Sequence, residues 1–450
     1  PPPSGGGGGG GVPVSSPVSG SVPAGGSLWS DPVGTAPDAS NPLVVGVTSP
    51  NGGSVSIDKT APDTALAHYR VLNVGATISA PAASAADPLR LSFQVFDGGL
   101  PDGVYASDLT VFRDGSPVAS CVKPGVVGPD PCVTSSATSD GVTTIEVLSS
   151  HASTWDVEAA QVGRVAGADR VATAAAVALD SFPDGGAGAV VLARADDFPD
   201  ALVGAPLAAA RNAPLLLTEG AALPKATADA LGEVLAKGGT VYVLGGSKAV
   251  PDSVVAQLSG LGYQVTRYAG ADRYGTAVAV ADALGDPSTV LLATGANFPD
   301  ALAAGPAASH VQGAVLLTDG GRLPAATSAY LSAHAGAVYA VGGPAAKADP
   351  SATAVVGADR YATAADVAAQ LFAGPSLVGV ATGTAFPDAL SGGAQLARAG
   401  GPLLLATPTG VPAATSGYLA GVKTGLTAVH LFGGPNALTD NVTTQLKNAL

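Results

Sequence analysis

From about residue 161 onward, the apolar positions fall into two alternating patterns. Short continuous apolar runs, such as Ala189-Val190-Val191-Leu192-Ala193, Pro214-Leu215-Leu216-Leu217-Thr218 and Thr240 to Leu244, are separated by longer Ala-rich stretches. Runs of this length read as strands buried on both faces, and the stretches between them as helices. In the first part of this region the pattern predicts a strand at Gln161 to Ala166 and a helix from Asp169 to about Leu179. Asp200 opens a second helix, Pro224 a third that closes at Gly238-Gly239, and Pro251 a fourth that stops at Gly260. Strand–helix alternation with right-handed crossovers gives a parallel α/β sheet with helices on its faces.

Upstream the pattern differs. Between residues 42 and 158, short β-rich runs alternate apolar with polar: Leu43 to Val47, Ser54 to Ile57, His68 to Leu72, Arg90 to Phe96, Leu109 to Phe112, Thr143 to Leu148 and Trp155 to Val157. Asp114-Gly115 is a hairpin signal. Some seven strands in this span predict a small antiparallel sandwich. Residues 1–41 begin with Pro1-Pro2-Pro3 and a glycine run from Gly5 to Gly11, then continue in Ser, Pro, Val and Gly. That composition predicts a flexible linker.

The α/β region repeats itself. Gly167-Ala168-Asp169-Arg170 returns as Gly270-Ala271-Asp272-Arg273 and Gly357-Ala358-Asp359-Arg360. Phe198-Pro199-Asp200-Ala201-Leu202 returns at Phe298 to Leu302 and Phe386 to Leu390, and Gly245-Gly246 at Gly342-Gly343 and Gly433-Gly434. Three motifs in one order, three times, define an internal repeat whose period is large enough for each copy to hold its own core. The expected divisions are 1–41, 42–160, 161–262, 263–351 and 352–450. Gly343 to Gly357 is much shorter than Gly246 to Gly270, so one helix is expected to be missing from the second copy.

Composition narrows the function. The net charge is −14, with 14 acids and 5 bases in residues 1–160 and 20 acids and 15 bases in the rest. No basic tract exists, which argues against nucleic acid as a partner. No apolar run reaches the roughly 18 residues of a membrane span. The chain has no Met and no visible signal peptide, as expected of a mature or excised segment with a further domain upstream. Its two cysteines, Cys121 and Cys132, share one Gly/Pro-rich loop. Their local pairing favours a disulfide over two free thiols, and so an oxidising, extracytoplasmic setting.

Every repeated motif follows a strand, so a parallel sheet places all of them at its carboxyl edge, where open α/β sheets bind ligands. Asp169, Asp272 and Asp359, like Asp200, Asp300 and Asp388, precede helical runs and suit helix capping. Two readings of Arg170, Arg273 and Arg360 stand side by side: a salt bridge to an Asp of a neighbouring loop, or recognition of an anion. No nucleophile-elbow, zinc-protease or phosphate-loop motif occurs, and the five histidines (His68, His151, His310, His334, His430) do not recur between copies. No cofactor is expected. Asp196, Asp197 and Asp200 could be imagined around Ca²⁺, but the other copies replace the first two by Ala296 and Asn297 and by Thr384 and Ala385.

Taken together, Arg164 to Arg170, Phe198 to Leu202, Ala213-Pro214-Leu215-Leu216-Leu217-Thr218 and Val243-Leu244-Gly245-Gly246, with their counterparts, resemble the type 2 cell-wall-binding repeat of bacterial surface proteins. The resemblance covers about 161–450. It implies three Rossmann- or flavodoxin-like units around a pseudo-threefold axis, and non-covalent anchoring to an anionic wall polymer, a teichoic-acid-like or phosphate-bearing glycan. It places polymer contacts at Pro214, Leu215, Leu216 and Leu217 and at Pro402, Leu403, Leu404 and Leu405. The second copy, Gly313-Ala314-Val315-Leu316-Leu317, lacks the Pro. The arginines and the motif aspartates complete the expected site. The resulting expectation is a secreted, wall-attached, non-enzymatic protein. Its rivals are a wall-glycan hydrolase using the same loops and a structural surface-layer subunit.

Overall fold

The computed structural model describes residues 17–60, 69–100, 104–123, 125–182 and 185–450. It divides into two compact units, Pro1–Gln161 and Val162–Leu450.

The first unit is built from two antiparallel sheets. One orders its strands Val18–Val22, Gly53–Thr60, Tyr69–Ser79, Thr154–Ala160, Leu109–Arg113 and Ser116–Pro117. The other orders Gly26–Trp29, Leu43–Ser49, Leu89–Phe96, Val142–Ser149 and Cys132–Ser139. Alternate residues such as Val55, Ile57, Leu91, Phe93, Val147, Trp155 and Val157 form one buried cluster, as the period-2 patterning requires. The expected linker needs correction here. Residues 18–22 and 26–29 are strands of the two sheets, because Val18-Ser19-Gly20-Ser21-Val22 carries an alternation that its Gly/Ser composition disguises. Residues 31–43 are tied down by Lys59, whose buried Nζ donates to Asp31 at 3.0 Å, Asn41 Oδ1 at 2.6 Å and the Leu43 carbonyl at 3.2 Å. The glycine run and His68 lie outside the described residues. Cys121 and Cys132 are bonded, with the second cysteine opening strand Cys132–Ser139.

The second unit contains three separate four-stranded parallel sheets. The first orders Leu215–Thr218, Ala189–Arg194, Thr240–Leu244 and Gln264–Tyr268. The second orders Ala314–Thr318, Thr289–Thr294, Ala337–Val341 and Thr353–Val355. Each takes its last strand from the chain just before the next Asp-Arg motif. The third sheet orders Leu403–Ala406, Leu377–Thr382, Ala428–Phe432 and then Val162–Val165. The strand expected to begin the first repeat therefore completes the third, pairing Val162 with Val429 and Val165 with Phe432. Strand order along the chain cannot reveal which sheet an edge strand joins, and here it joins the one farthest away in sequence. The unit is thereby closed into a ring.

Three helices fill the centre of the ring: Gly204–Ala210, Pro299–His310 and Pro387–Ala399 pack on one another. They are buried nearly all round, and the polar Gln395 and Arg398 of the third are satisfied by Asp180 and the Ser181 carbonyl. Small residues permit the close approach: a Cβ on Gly305 would stand 3.0 Å from the Ala205 Cβ.

The helix expected to be missing from the second repeat is shortened instead, to Gly343–Ala348, where its counterparts are Asp252–Gly260 and Asp440–Ala449. A second difference tracks it. Arg267 donates to the Gly245 carbonyl and to Asp252, while Arg164 donates to the Gly433 and Leu438 carbonyls and lies 3.5 Å from Asp440. The corresponding position in the third copy is Ala354, whose neighbour is the short helix with no acid to meet.

Candidate functional site

The repeated motifs meet where one repeat passes into the next. Asp169, Asp272 and Asp359 cap their helices: each Oδ1 accepts from two backbone N–H groups at 2.8–3.0 Å, Val171 and Ala172, Tyr274 and Gly275, Tyr361 and Ala362. Such a cap stabilises by about 1 kcal/mol. The glycine two residues earlier is required by space. A Cβ on Gly167, Gly270 or Gly357 would meet the following helix backbone at 2.2–2.4 Å.

The second set of aspartates departs from the capping expectation. Phe298 and Phe386 are the N-caps of their helices, Asp300 and Asp388 lie inside the first turn, and Asp200 precedes a 3-10 turn, Ala201–Val203, with no side-chain cap bond. Their carboxylates point across the junction. Asp200 bonds the hydroxyl of Thr276, Asp300 that of Thr363, and Asp388 that of Thr173. The same three hydroxyls accept from the backbone N–H of Gly270, Gly357 and Gly167. Each repeat thus latches to its successor, and the third latches to the first. The Gly-Gly motif makes room for the latch. Gly245, Gly342 and Gly433 have φ of 93°, 83° and 112°, and a Cβ on any of them would strike the Asp200, Asp300 or Asp388 carboxylate.

The arginines stand beside these latches. Arg273 is the cationic neighbour of Asp200, Arg360 of Asp300 and Arg170 of Asp388. No direct ion pair joins them among the described residues. Instead, each Nη1 donates to the carbonyl that follows its own repeat's second strand: Arg170 to Ala195 at 2.9 Å, Arg273 to Gly295 at 2.6 Å, and Arg360 to Gly383. Arg170 also lies over the Phe386 ring and Arg273 over Phe198, at 5.9 and 6.0 Å from the centroids. The three motif phenylalanines meet one another edge to face, with centroids 5.6, 5.7 and 5.6 Å apart, and these near-equal distances mark the pseudo-threefold axis.

Burial raises the pKa of Asp200, Asp300 and Asp388 above the ordinary aspartate value, and the threonine hydroxyls and arginines offset part of that rise. A raised folded-state pKa gives a stabilising contribution that is complete below the ordinary value of 3.8 and is lost as pH rises through the raised one. We therefore expect the wild type to gain stability relative to the triple variant Asp200→Asn, Asp300→Asn, Asp388→Asn as pH falls from neutral. Thermal melts of both proteins across that range check this; parallel pH profiles would contradict it.

The Pro-Leu-Leu-Leu segments occupy a different place from the one the resemblance implied. Leu215, Leu216 and Leu217 are 1, 0 and 0 % exposed, and Leu403, Leu404 and Leu405 are 1, 0 and 0 % exposed. Pro214 and Pro402 are buried with them. These residues are sheet core and present no side chain to a polymer. At their far ends, Thr227, Thr327 and Thr415 donate to the carbonyls of Leu217, Leu317 and Leu405 at 2.6–2.7 Å. The Asp196 carboxylate is taken by Arg194, which donates to both of its oxygens. Among the described residues no group of three or more His, Cys, Asp or Glu is placed to hold a metal ion.

Between the first and second repeats the carboxyl-edge loops enclose an open cleft of about 510 Å3, lined among others by Arg194, Asp197, Ser247, Lys248, Asp272 and Arg273.

Three latched parallel-sheet repeats with their loops gathered at the junctions define a repeat-built α/β module. The chain belongs to the Cell wall binding domain 2 (CWB2) family, whose model matches residues 164–255, 267–350 and 355–443. It is 32% identical over 234 residues to the N-acetylmuramoyl-L-alanine amidase LytC of Bacillus subtilis, covering 50% of this chain and 46% of that protein. It is 32% identical over 161 residues to the Amidase enhancer of the same organism, covering 36% of this chain and 22% of that one. The chain therefore spans less than half the length of either. Among solved structures, Cwp8 from Clostridium difficile matches with a TM-score of 0.60 at 22% identity, covering 77% of this chain and 63% of Cwp8. Cwp6 matches with a TM-score of 0.58 at 19% identity, covering 88% and 68%. These two share the fold.

Proposed function

We propose that residues 162–450 hold a secreted protein non-covalently on the bacterial cell wall by binding an anionic wall polymer, a teichoic-acid-like or phosphate-bearing glycan. The observation that carries the reading is the family match over all three repeats, combined with repeat junctions that gather polar loop residues around an open cleft. The junction loops, with Arg170, Arg273 and Arg360 among them, are the contact surface. Nη1 of each guanidinium is committed to a carbonyl, while Nε and Nη2 keep free donors. Three junctions on one rigid ring allow individually weak contacts to add through effective concentration. The antiparallel unit is the displayed or spacing module. Its Cys121–Cys132 bond suits an oxidising, extracytoplasmic location. The names of the amidase and the amidase enhancer describe those proteins; residues 164–255, 267–350 and 355–443 match a binding family, and no hydrolytic step is assigned to this chain. The test is retention on purified cell walls, which should weaken as salt rises because exposed charges are screened over about 10 Å at 0.1 M.

A further inference from the structure

The three junctions share their latch, but they differ in their charged residues: the first repeat adds two cations, and with them two acids, Asp196 and Asp197, that the other copies lack. At the position four before the motif phenylalanine, the first repeat has Arg194 where the others have Thr294 and Thr382. Two residues beyond the Gly-Gly pair, it has Lys248 where the others have Ala345 and Asn436. Both cations line the cleft between the first and second repeats, together with Arg273. The other two junctions have only their motif arginine at these positions.

The cations differ in how far they are already engaged. Arg194 donates through Nε and Nη2 to Asp196 at 2.7 and 2.8 Å, which holds its guanidinium in one orientation. Its Nη1 makes no hydrogen bond and lies 3.9 Å from Asp197. Lys248 is exposed and, among the described residues, has neither an ion pair nor a hydrogen bond. Arg273 makes its hydrogen bond through Nη1, with its guanidinium over the Phe198 ring and near Asp200. The cleft therefore presents three positively charged groups with unused donors, Arg194 and Lys248 from the first repeat and Arg273 from the second, interleaved with Asp197, Asp200 and Asp272. The cleft also carries carboxylates suited to hydroxyls: Asp272 uses only Oδ1 for its cap, and Asp197 uses Oδ1 for the Phe198 N–H. Donors that complement a phosphate, beside acceptors that complement sugar or glycerol hydroxyls, fit one repeating unit of a phosphodiester-linked polyol or glycan.

We infer that the junction between the first and second repeats is a single dominant phosphate-recognition site, with Lys248 and Arg194 as its specificity-determining residues and the other two junctions as weaker, mainly structural ones. This rests on the wall-anchoring reading above. It changes the stoichiometry from three equivalent sites to one strong site.

The experiment is titration of the full chain with a glycerol-phosphate oligomer at fixed ionic strength, followed by calorimetry, alongside retention on purified walls. The wild type should saturate at one site per chain. Lys248→Ala should bind about tenfold more weakly, the loss of one charge-assisted contact, and Lys248→Glu more weakly still. Neither change removes a contact the fold uses. Lys423→Ala, an exposed lysine away from the cleft, should match the wild type. Three equivalent sites, or Lys248→Ala and Lys248→Glu each within about twofold of the wild type, would overturn the inference; if walls still retained the protein, anchoring itself would stand. A wild type that walls do not retain would overturn both.

Discussion

Replacing Val162 and Val165 together by aspartate should unfold the third repeat while the first and second stay protected. The two valines are 4 and 5 % exposed and belong to the strand that completes the third sheet. Burying two carboxylates without partners costs several kcal/mol each, comparable to the whole stability of a domain of this size. The damage should be local at first, because among the described residues Val162–Val165 pairs only with Ala428–Phe432. Arg164 strengthens that seam through the Gly433 and Leu438 carbonyls and Thr443 Oγ1, at 2.7, 2.8 and 2.9 Å, so Arg164→Ala should act in the same direction with smaller effect. Hydrogen exchange reads the outcome. Amides of Ala428–Phe432 should lose protection well before those of Thr240–Leu244. Equal protection in the two strands of the double variant would mean that the ring does not depend on its closing strand.

The second large effect concerns the ring of arginines. Changing Arg170, Arg273 and Arg360 together to alanine should lower the melting temperature markedly. Each variant loses a charged hydrogen bond to a carbonyl, on the order of 1.5–3 kcal/mol, and leaves a half-buried carboxylate without its neighbouring cation. Arg→Lys should recover little, since one ammonium cannot bond the carbonyl and keep the planar fork. Wall binding should fall as well if the free Nε and Nη2 donors contact polymer. A triple variant with an unchanged melting temperature would mean that the arginine–carbonyl bonds do not hold the junctions together, whatever its binding.

Much of this architecture was legible in the chain. Continuous apolar runs such as Ala189 to Ala193 marked two-sided strands, and the three-times-repeated motifs marked three units with their loops at one edge. The caps at Asp169, Asp272 and Asp359 follow from residue type and position alone. What stayed hidden depends on contacts distant in sequence. Nothing local distinguishes a Val162–Val165 strand that joins the first sheet from one that joins the third. Asp388 looks like a cap because Pro387 precedes it; only the fold brings Thr173 to its carboxylate. Thr173, Thr276 and Thr363 did carry a signal, for they recur three residues beyond each Arg, and their burial gives that recurrence its meaning. The Pro-Leu-Leu-Leu segments carry two meanings in sequence. An apolar motif that recurs is more readily explained by sheet core than by a ligand, and their burial bears this out.

On the function proposed above, the three-repeat ring holds an anionic wall polymer. Its most direct test is co-sedimentation of the full chain with purified cell walls, before and after acid extraction of their anionic polymers. We predict retention on intact walls and release into the supernatant once the polymers are gone, with added soluble polymer competing on intact walls. Equal retention on extracted walls would contradict the account.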